Sequence, residues 1–222
     1  MRAVVIANGR LSHPDADRAR VRPDDWILAA DGGLHNCSRL GLKPAVVIGD
    51  FDSLGTADLA ALQTTGVTAV RHPERKDETD LELALEYAVR HGAREILILG
   101  ALGDRWDQTL ANALLLASPT LAAVRTWLSD GSQQVTLARP ESPLTLRGHP
   151  GDTLSLLPLA GDAHGVTTSG LEYPLQAETL RFAATRGVSN TLLGSMATVH
   201  LTAGLLLVVH LQSPEAPEED PR

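Results

Sequence analysis

Short apolar runs punctuate the first half of the chain at regular intervals. Ala3–Ala7 (AVVIA), Trp26–Ala30 (WILAA), Ala45–Ile48 (AVVI) and Glu95–Leu99 (EILIL) lack alternation and end in Gly, Asp or Asn, and Val67–Val70 is a further strand candidate between the third and the last of them. Continuous apolar runs of this length are the signature of strands buried on both faces, as in a parallel sheet. Helical periods lie between them. Leu34–Leu40 is closed by Gly41, Thr56–Thr65 has Leu59 and Leu62 on one face, and Trp106–Ala117 follows the fifth strand. The best defined helix opens at Thr79, pairs it with Glu82 in a capping box, and stops at Gly92. From about Pro119 the rhythm changes. Val124–Leu128, Gln134–Ala138, Leu144–Leu146, Thr153–Pro158, Thr179–Ala183, Met196–Leu201 and Leu205–Leu211 read as short strands between Gly, Pro and Asp turns. The expectation is an α/β fold: a mostly parallel, Rossmann-like α/β domain over 1–125, an antiparallel β-sandwich over 126–212, and a disordered Pro- and acid-rich tail over 213–222.

Composition narrows the class. Of 222 residues, 43% are hydrophobic and 21% charged, which sets the chain apart from disordered sequences. The net charge is −8, with no basic block, so a nucleic-acid backbone is a poor partner. No apolar run approaches the roughly 20 residues of a membrane span. The opening MRAVVIANG is too short in apolar residues for a signal peptide, and the expectation is a cytoplasmic protein. A single cysteine, Cys37, excludes an intrachain disulfide framework and reads as a small buried residue. The basic residues comprise 17 Arg and only two Lys, Lys43 and Lys76, and no P-loop motif occurs.

The acids sit where an open α/β sheet binds ligands, beyond the carboxyl ends of its strands. Asp31 follows the second strand, Asp50 and Asp52 the third, Asp77 and Asp80 the fourth, and Asp107 the fifth. A single Asp after a strand is most often a turn or cap residue, and Asp24 and Asp58 are read so. Asp31 reads equally as the turn acid of an Asp-Gly-Gly loop. GDFDS at 49–53 is different, because a turn needs one acid and this one has two around an aromatic residue. Carboxylates converging on one rim repel and call for a cation, and hard oxygen donors without His favour Mg²⁺. Gly32, Gly33, Gly49, Gly100 and Gly103 allow close approach to the backbone, and Arg105 can neutralise phosphate. Lys76 reads either as a solvated loop charge or, with Arg75, as an offset to the neighbouring acids. The eight His are scattered without ligand spacing and read as surface or packing residues. Trp106 and Leu114–Leu116 read as core.

These motifs together resemble the thiamine pyrophosphokinase family. The resemblance rests on ANG at 7–9, ADGG at 30–33, GLKPAVVIGDFDSL at 41–54, KDETDLELAL at 76–85, LGALGDRWDQTLAN at 99–112, GLEYPL at 170–175 and RGVSNT at 186–191. It implies transfer of the terminal diphosphate of ATP to the hydroxyethyl oxygen of thiamine. It also implies a homodimer whose active site lies between the α/β domain of one subunit and the sandwich of the other. By the same resemblance Asp50, Asp52 and Asp80 bind Mg²⁺, and Asp77, Thr79, Arg105, Asp107 and Gln108 line the phosphate path. Asp31, Gly32 and Gly33, with Asn8, Ser53 and Lys76, belong to the nucleotide side. Ser189 and Asn190 face thiamine, with Tyr173 as an aromatic neighbour. Asp107 or Asp77 orients the hydroxyl or accepts its proton. Two positions depart from the family pattern: Asp104 replaces the usual glycine, and Gln108 stands where many members have His. The alternatives are a pyrophosphokinase for another hydroxyalkyl heterocycle, such as a pterin, and a non-catalytic nucleotide- or thiamine-sensing module.

Overall fold

The structure is a computed structural model and describes residues 1–55, 62, 66–103 and 105–213. The expected helix over 56–65, apart from Leu62, lies outside the described residues, as do Asp58, Asp104 and 214–222 of the tail. The fold is α/β, and the chain divides into two compact units, Met1–Gly131 and Ser132–Arg222.

The first unit is built on six strands, β1 (Arg2–Ile6), β2 (Trp26–Ala30), β3 (Val46–Gly49), β4 (Thr68–Arg71), β5 (Glu95–Leu99) and β6 (Arg125–Asp130). Their order is β4-β3-β2-β1-β5-β6. Every pairing is parallel. The central strands are buried along almost their whole length, which is why they appear as unbroken apolar runs. Val4, Ile6, Ala29, Val47, Leu97 and Leu99 meet in one core cluster. β4 is largely exposed, as an edge strand can be. The chain steps outward from β1 through β2 and β3 to β4, then returns to the other side of β1 for β5 and β6. That reversal puts a switch point between β1 and β5, where the connections leave a crevice.

Four helices accompany this sheet among the described residues: α1 (Pro14–Ala19), α2 (Gly33–Arg39), α3 (Asp80–Arg90) and α4 (Trp106–Leu115). α3 starts as expected, with the Thr79 hydroxyl accepting the Glu82 amide at 3.2 Å, and it buries Leu81, Ala84, Leu85 and Ala88. α1 was not expected, because its PDADRA sequence has no apolar stripe; it is held instead by buried Asp17, whose Oδ1 accepts the Gly131 amide at 2.9 Å. Two expectations fail on α4. Trp106 is 76% exposed and Leu114 54%, while Leu116 just beyond is buried. With Leu110 they form an i, i+4, i+8 stripe facing away from the sheet, and the buried residue of the helix is Asn112. Cys37 is buried as expected, and burial pushes its thiol up to about 12.

β6 also corrects the reading of its segment. Val124–Leu128 was expected to open the antiparallel half, but β6 pairs parallel with β5, Glu95 opposite Arg125 and Leu99 opposite Ser129. The apolar pattern of one strand does not encode the direction of its neighbour.

The second unit contains β7 (Gln133–Ala138), β8 (Leu144–Arg147), β9 (Thr153–Ser169), β10 (Glu178–Leu180), β11 (Asn190–Thr191), β12 (Met196–His200) and β13 (Ala203–Leu211). All its pairings are antiparallel. β9 is 17 residues long, so the expected Thr153–Pro158 is only its first part. Its start pairs with β13, its end with β10 and β12, and Ala160 and Gly161 between them have φ of 63° and 115°. With β11 also pairing at its start, one strand therefore serves four ladders, with Leu154, Leu156, Val166, Val199 and Leu206 in a common core. The fully buried Asp152 closes the unit. Its carboxylate accepts the His149 amide at 3.0 Å and the Ser213 amide at 2.9 Å, and lies 2.8 Å from His210 Nε2. Burial opposes ionisation, but these hydrogen bonds outweigh it and hold the carboxyl below the usual range.

Candidate functional site

The loops at the carboxyl ends of β1, β2, β3 and β5 enclose a cavity of about 580 Å³ in the first unit. Close backbone packing fixes its floor. The Gly9 amide donates to the Gly100 carbonyl at 2.8 Å, tying the β1 loop to the β5 loop. A Cβ on Gly33 would stand 2.0 Å from the Ile6 carbonyl oxygen, so only glycine lets α2 start this close to β1. Buried Asn36 on α2 donates to the carbonyls of Ala7 and Gly9, both at 2.8 Å. Asn112 on α4 donates to the Ala101 carbonyl at 2.7 Å, and Thr109 brackets Gly103 through its amide and carbonyl. Sequence reasoning missed Asn36, Thr109 and Asn112 as supports. Only Thr109 and Asn112 carried a signal, as polar residues three apart on one helical face just beyond the Arg-Trp-Asp turn.

The acids lie on one wall. Asp31 is 5% exposed and sits at φ 43°, held by its amide to the Ile48 carbonyl at 2.8 Å. A Cβ on Gly49 would come within 2.8 Å of the Asp31 Cβ, so that glycine makes room for the acid. Phe51 is buried at φ 68° and anchors the turn that presents Asp50 and Asp52. Asp50 Oδ1 accepts the Asp52 amide at 3.1 Å. One carboxylate oxygen from each of Asp31, Asp50 and Asp52 lies within 4.8 Å of the others. Buried Asp31 Oδ1 has no hydrogen-bond partner in the protein. A buried carboxylate oxygen without a donor is costly, and a hard cation held between it and the Asp50 and Asp52 carboxylates removes the cost. The donor set therefore fits Mg²⁺.

Asp80 joins this wall through a lysine. Lys76 Nζ lies 2.7 Å from Asp50 Oδ2 and 3.0 Å from Asp80 Oδ1. The hydrogen bond from Lys76 holds the Asp50 carboxyl below the usual range, whereas burial pushes Asp80 upward despite the same lysine. Of the set expected to hold metal, Asp50 and Asp52 come together, Asp31 stands as their third neighbour, and Asp80 lies across Lys76. Asn8, Ser53, Thr79, Arg105 and Gln108 line the cavity, but Gly32, Gly33, Asp77 and Asp107 do not. Asp107 is bonded to Arg105, Nε to Oδ1 at 3.1 Å, and this guanidinium holds its carboxyl below the usual range.

The expected thiamine residues lie in the second unit. Asn190 Oδ1 accepts the Tyr173 amide at 3.0 Å and its Nδ2 donates to the Tyr173 carbonyl at 2.7 Å. The Asn190 amide is thus spent on the backbone of Tyr173, whose ring is 65% exposed. Ser189 is at φ 60°, with its amide on Ser155 Oγ at 3.1 Å.

The family model for the thiamin pyrophosphokinase catalytic domain matches residues 19–128, and the model for the thiamin pyrophosphokinase vitamin B1 binding domain matches 141–206. The chain belongs to the thiamine pyrophosphokinase family. Within the family it is 27% identical to the thiamine pyrophosphokinase of Bacillus subtilis over 184 residues, covering 83% of this chain and 86% of that protein. The crystal structure of thiamin pyrophosphokinase from Geobacillus thermodenitrificans superposes with a TM-score of 0.84 at 25% identity, over 98% of this chain and all of that one. The Bacillus subtilis crystal structure gives 0.85 at 23% identity, over 96% of this chain and all of that one, and shows the shared fold.

Proposed function

We propose that the protein is a thiamine diphosphokinase, transferring diphosphate from ATP to the hydroxyethyl oxygen of thiamine and releasing AMP. The observation that carries this is the cavity at the β1/β5 switch point, with the unpartnered Asp31 oxygen beside Asp50 and Asp52, in a chain matched along both halves by the family. Its volume falls within the about 300–1,000 Å³ of small-ligand sites. The parallel order of the first unit supports a Rossmann-like nucleotide domain, and the antiparallel ladders sharing β9 support a β-sandwich. The homodimer, with its active site between the α/β domain of one subunit and the sandwich of the other, and the cytoplasmic setting are parts of the same proposal. Among the described residues no helix is long and apolar enough to cross a membrane.

The chemistry is an in-line attack of the alcohol oxygen on the β-phosphorus, with AMP leaving, and it depends mostly on positioning and charge. Asp31, Asp50 and Asp52, with Asp80 beside them, would hold Mg²⁺. When bound, the ion neutralises phosphate charge and polarises phosphate oxygens. Arg105 turns toward the transferring group from the cavity wall. Asp107 or Asp77 orients the thiamine hydroxyl or accepts its proton, and Asp107 regains proton affinity when Arg105 turns to the phosphates. Gln108 and Thr79 orient the phosphate path, and Asn8 and Ser53 the nucleotide. In the second unit Ser189 and the Asn190-clamped Tyr173 face thiamine, whose thiazolium cation suits an aromatic, acidic setting. The test is incubation of the purified chain with ATP, Mg²⁺ and thiamine, with products identified by mass. Thiamine diphosphate and AMP in equal amounts are expected. ADP as the nucleotide product, or no AMP with thiamine but turnover with a pterin alcohol, overturns the assignment.

A further inference from the structure

We propose that Lys76 is the resident counter-ion of the acidic wall, bridging Asp50 and Asp80 in the cation-free protein and thereby setting how tightly the wall takes a divalent cation. The proposal rests on the reading of Asp31, Asp50 and Asp52 as a cation seat.

Residue choice is the first argument. The chain has 17 Arg and two Lys, so a lysine is the exception among its cations. A guanidinium is a planar fork suited to one carboxylate or phosphate, whereas an ammonium is a compact point charge with three rotatable donors. Lys76 uses that property, reaching Asp50 at 2.7 Å and Asp80 at 3.0 Å with a side chain only 11% exposed. The second argument is the division of Asp50. Its Oδ2 belongs to Lys76 and its Oδ1 accepts the Asp52 amide, so neither oxygen is idle, while Asp31 Oδ1 is without a partner. A divalent cation entering the triad meets an Asp50 already engaged by a positive charge. The third is position. Asp80 is the first residue of α3 behind the Thr79 cap, and Lys76 precedes it by four residues, so the start of the helix fixes the far end of the bridge. Ammonium and cation therefore compete for Asp50. Lys76 supplies the positive charge between the Asp50 and Asp80 carboxylates, and a neutral side chain there would not.

The magnitude follows from Coulomb's law. A unit positive charge roughly 6 Å from a divalent ion disfavours it about tenfold even at the dielectric constant of bulk water. The experiment measures Mn²⁺ binding to the full chain without nucleotide, by titration calorimetry and by the paramagnetic signal of free Mn²⁺. Lys76→Met and Lys76→Gln are expected to bind Mn²⁺ about tenfold more tightly than wild type, and charge-retaining Lys76→Arg within about threefold of it. Thermal unfolding of the two neutral variants should fall without Mn²⁺ and recover when it is added. Equal or weaker binding by both neutral variants, or no binding by any of them, overturns the proposal. Asp52→Asn separates the two readings. If it weakens Mn²⁺ binding while the lysine variants gain nothing, only the counter-ion role is lost. If it leaves Mn²⁺ binding unchanged, the cation seat fails and the proposal with it.

Discussion

Asp31 in the first unit and Asp152 in the second are both buried carboxylates, and their surroundings are opposite. Asp152 is saturated by two backbone amides and His210. Asp31 has an oxygen with no donor and two acids for neighbours. Buried polar groups are normally satisfied, and exceptions call for a reason. The Asp152 carboxylate is spent on folding. The Asp31 oxygen, on the cavity wall beside two further acids, is open to a cation.

The sharpest way to break this comparison is to remove an acid from each side. Asp52 is exposed, so Asp52→Ala should unfold at the wild-type temperature, yet lose on the order of 10³ in kcat/KM for AMP release, the scale of one preorganised electrostatic contact. A variant that keeps near-normal turnover would remove the chemical meaning of the unsatisfied wall. Asp152→Ala should do the reverse, costing about 3 kcal/mol in urea unfolding because two amides and His210 lose their acceptor. Activity per folded molecule should persist. Acid titration sharpens the same point. The depressed Asp152 carboxyl contributes stability that is present above the ordinary Asp value of about 3.9 and is lost as pH falls through the lower folded value. Asp50 contributes in the same direction, while Asp80, raised by burial, works against it. Wild-type melting temperature should therefore drop below about pH 4, and Asp152→Asn should flatten that drop. The smallest effect is expected at Trp106, whose exposed ring makes Trp106→Ala worth no more than about 0.5 kcal/mol in the isolated chain.

Much of the first unit was legible because strands buried on both faces are written as unbroken apolar runs, as at Val4, Ile27 and Leu97. Their loops were legible for the same reason: acids that end such runs stand out, and Asp31, Asp50 and Asp52 do meet. What pattern could not supply was phase and partnership. Trp106 and Leu114 are apolar, but their spacing does not say which side of α4 meets the sheet. β9 was cut short because Pro158 and Gly161 look like ends, whereas Pro158 stays in the β13 ladder and the strand continues past the positive φ of Ala160 and Gly161. The bond from Lys76 to Asp50 spans 26 positions in sequence, and the Asn36 bonds to Ala7 and Gly9 are likewise invisible along the chain. Lys76, four residues before Asp80, could be read as an offset to the neighbouring acids, but not as the bridge from Asp80 to Asp50.

The order of strands in the second unit has a consequence for how the protein is made. β13 lies between β7 and β9 and pairs with both, yet it is synthesised after every other strand of that unit. Until residue 211 has left the ribosome, the nascent chain carries β7 and the first half of β9 as two open edges with no strand to bridge them. A messenger cut or a ribosome stalled shortly before that point would release two sticky ladders, a product suited to aggregation or to capture by chaperones.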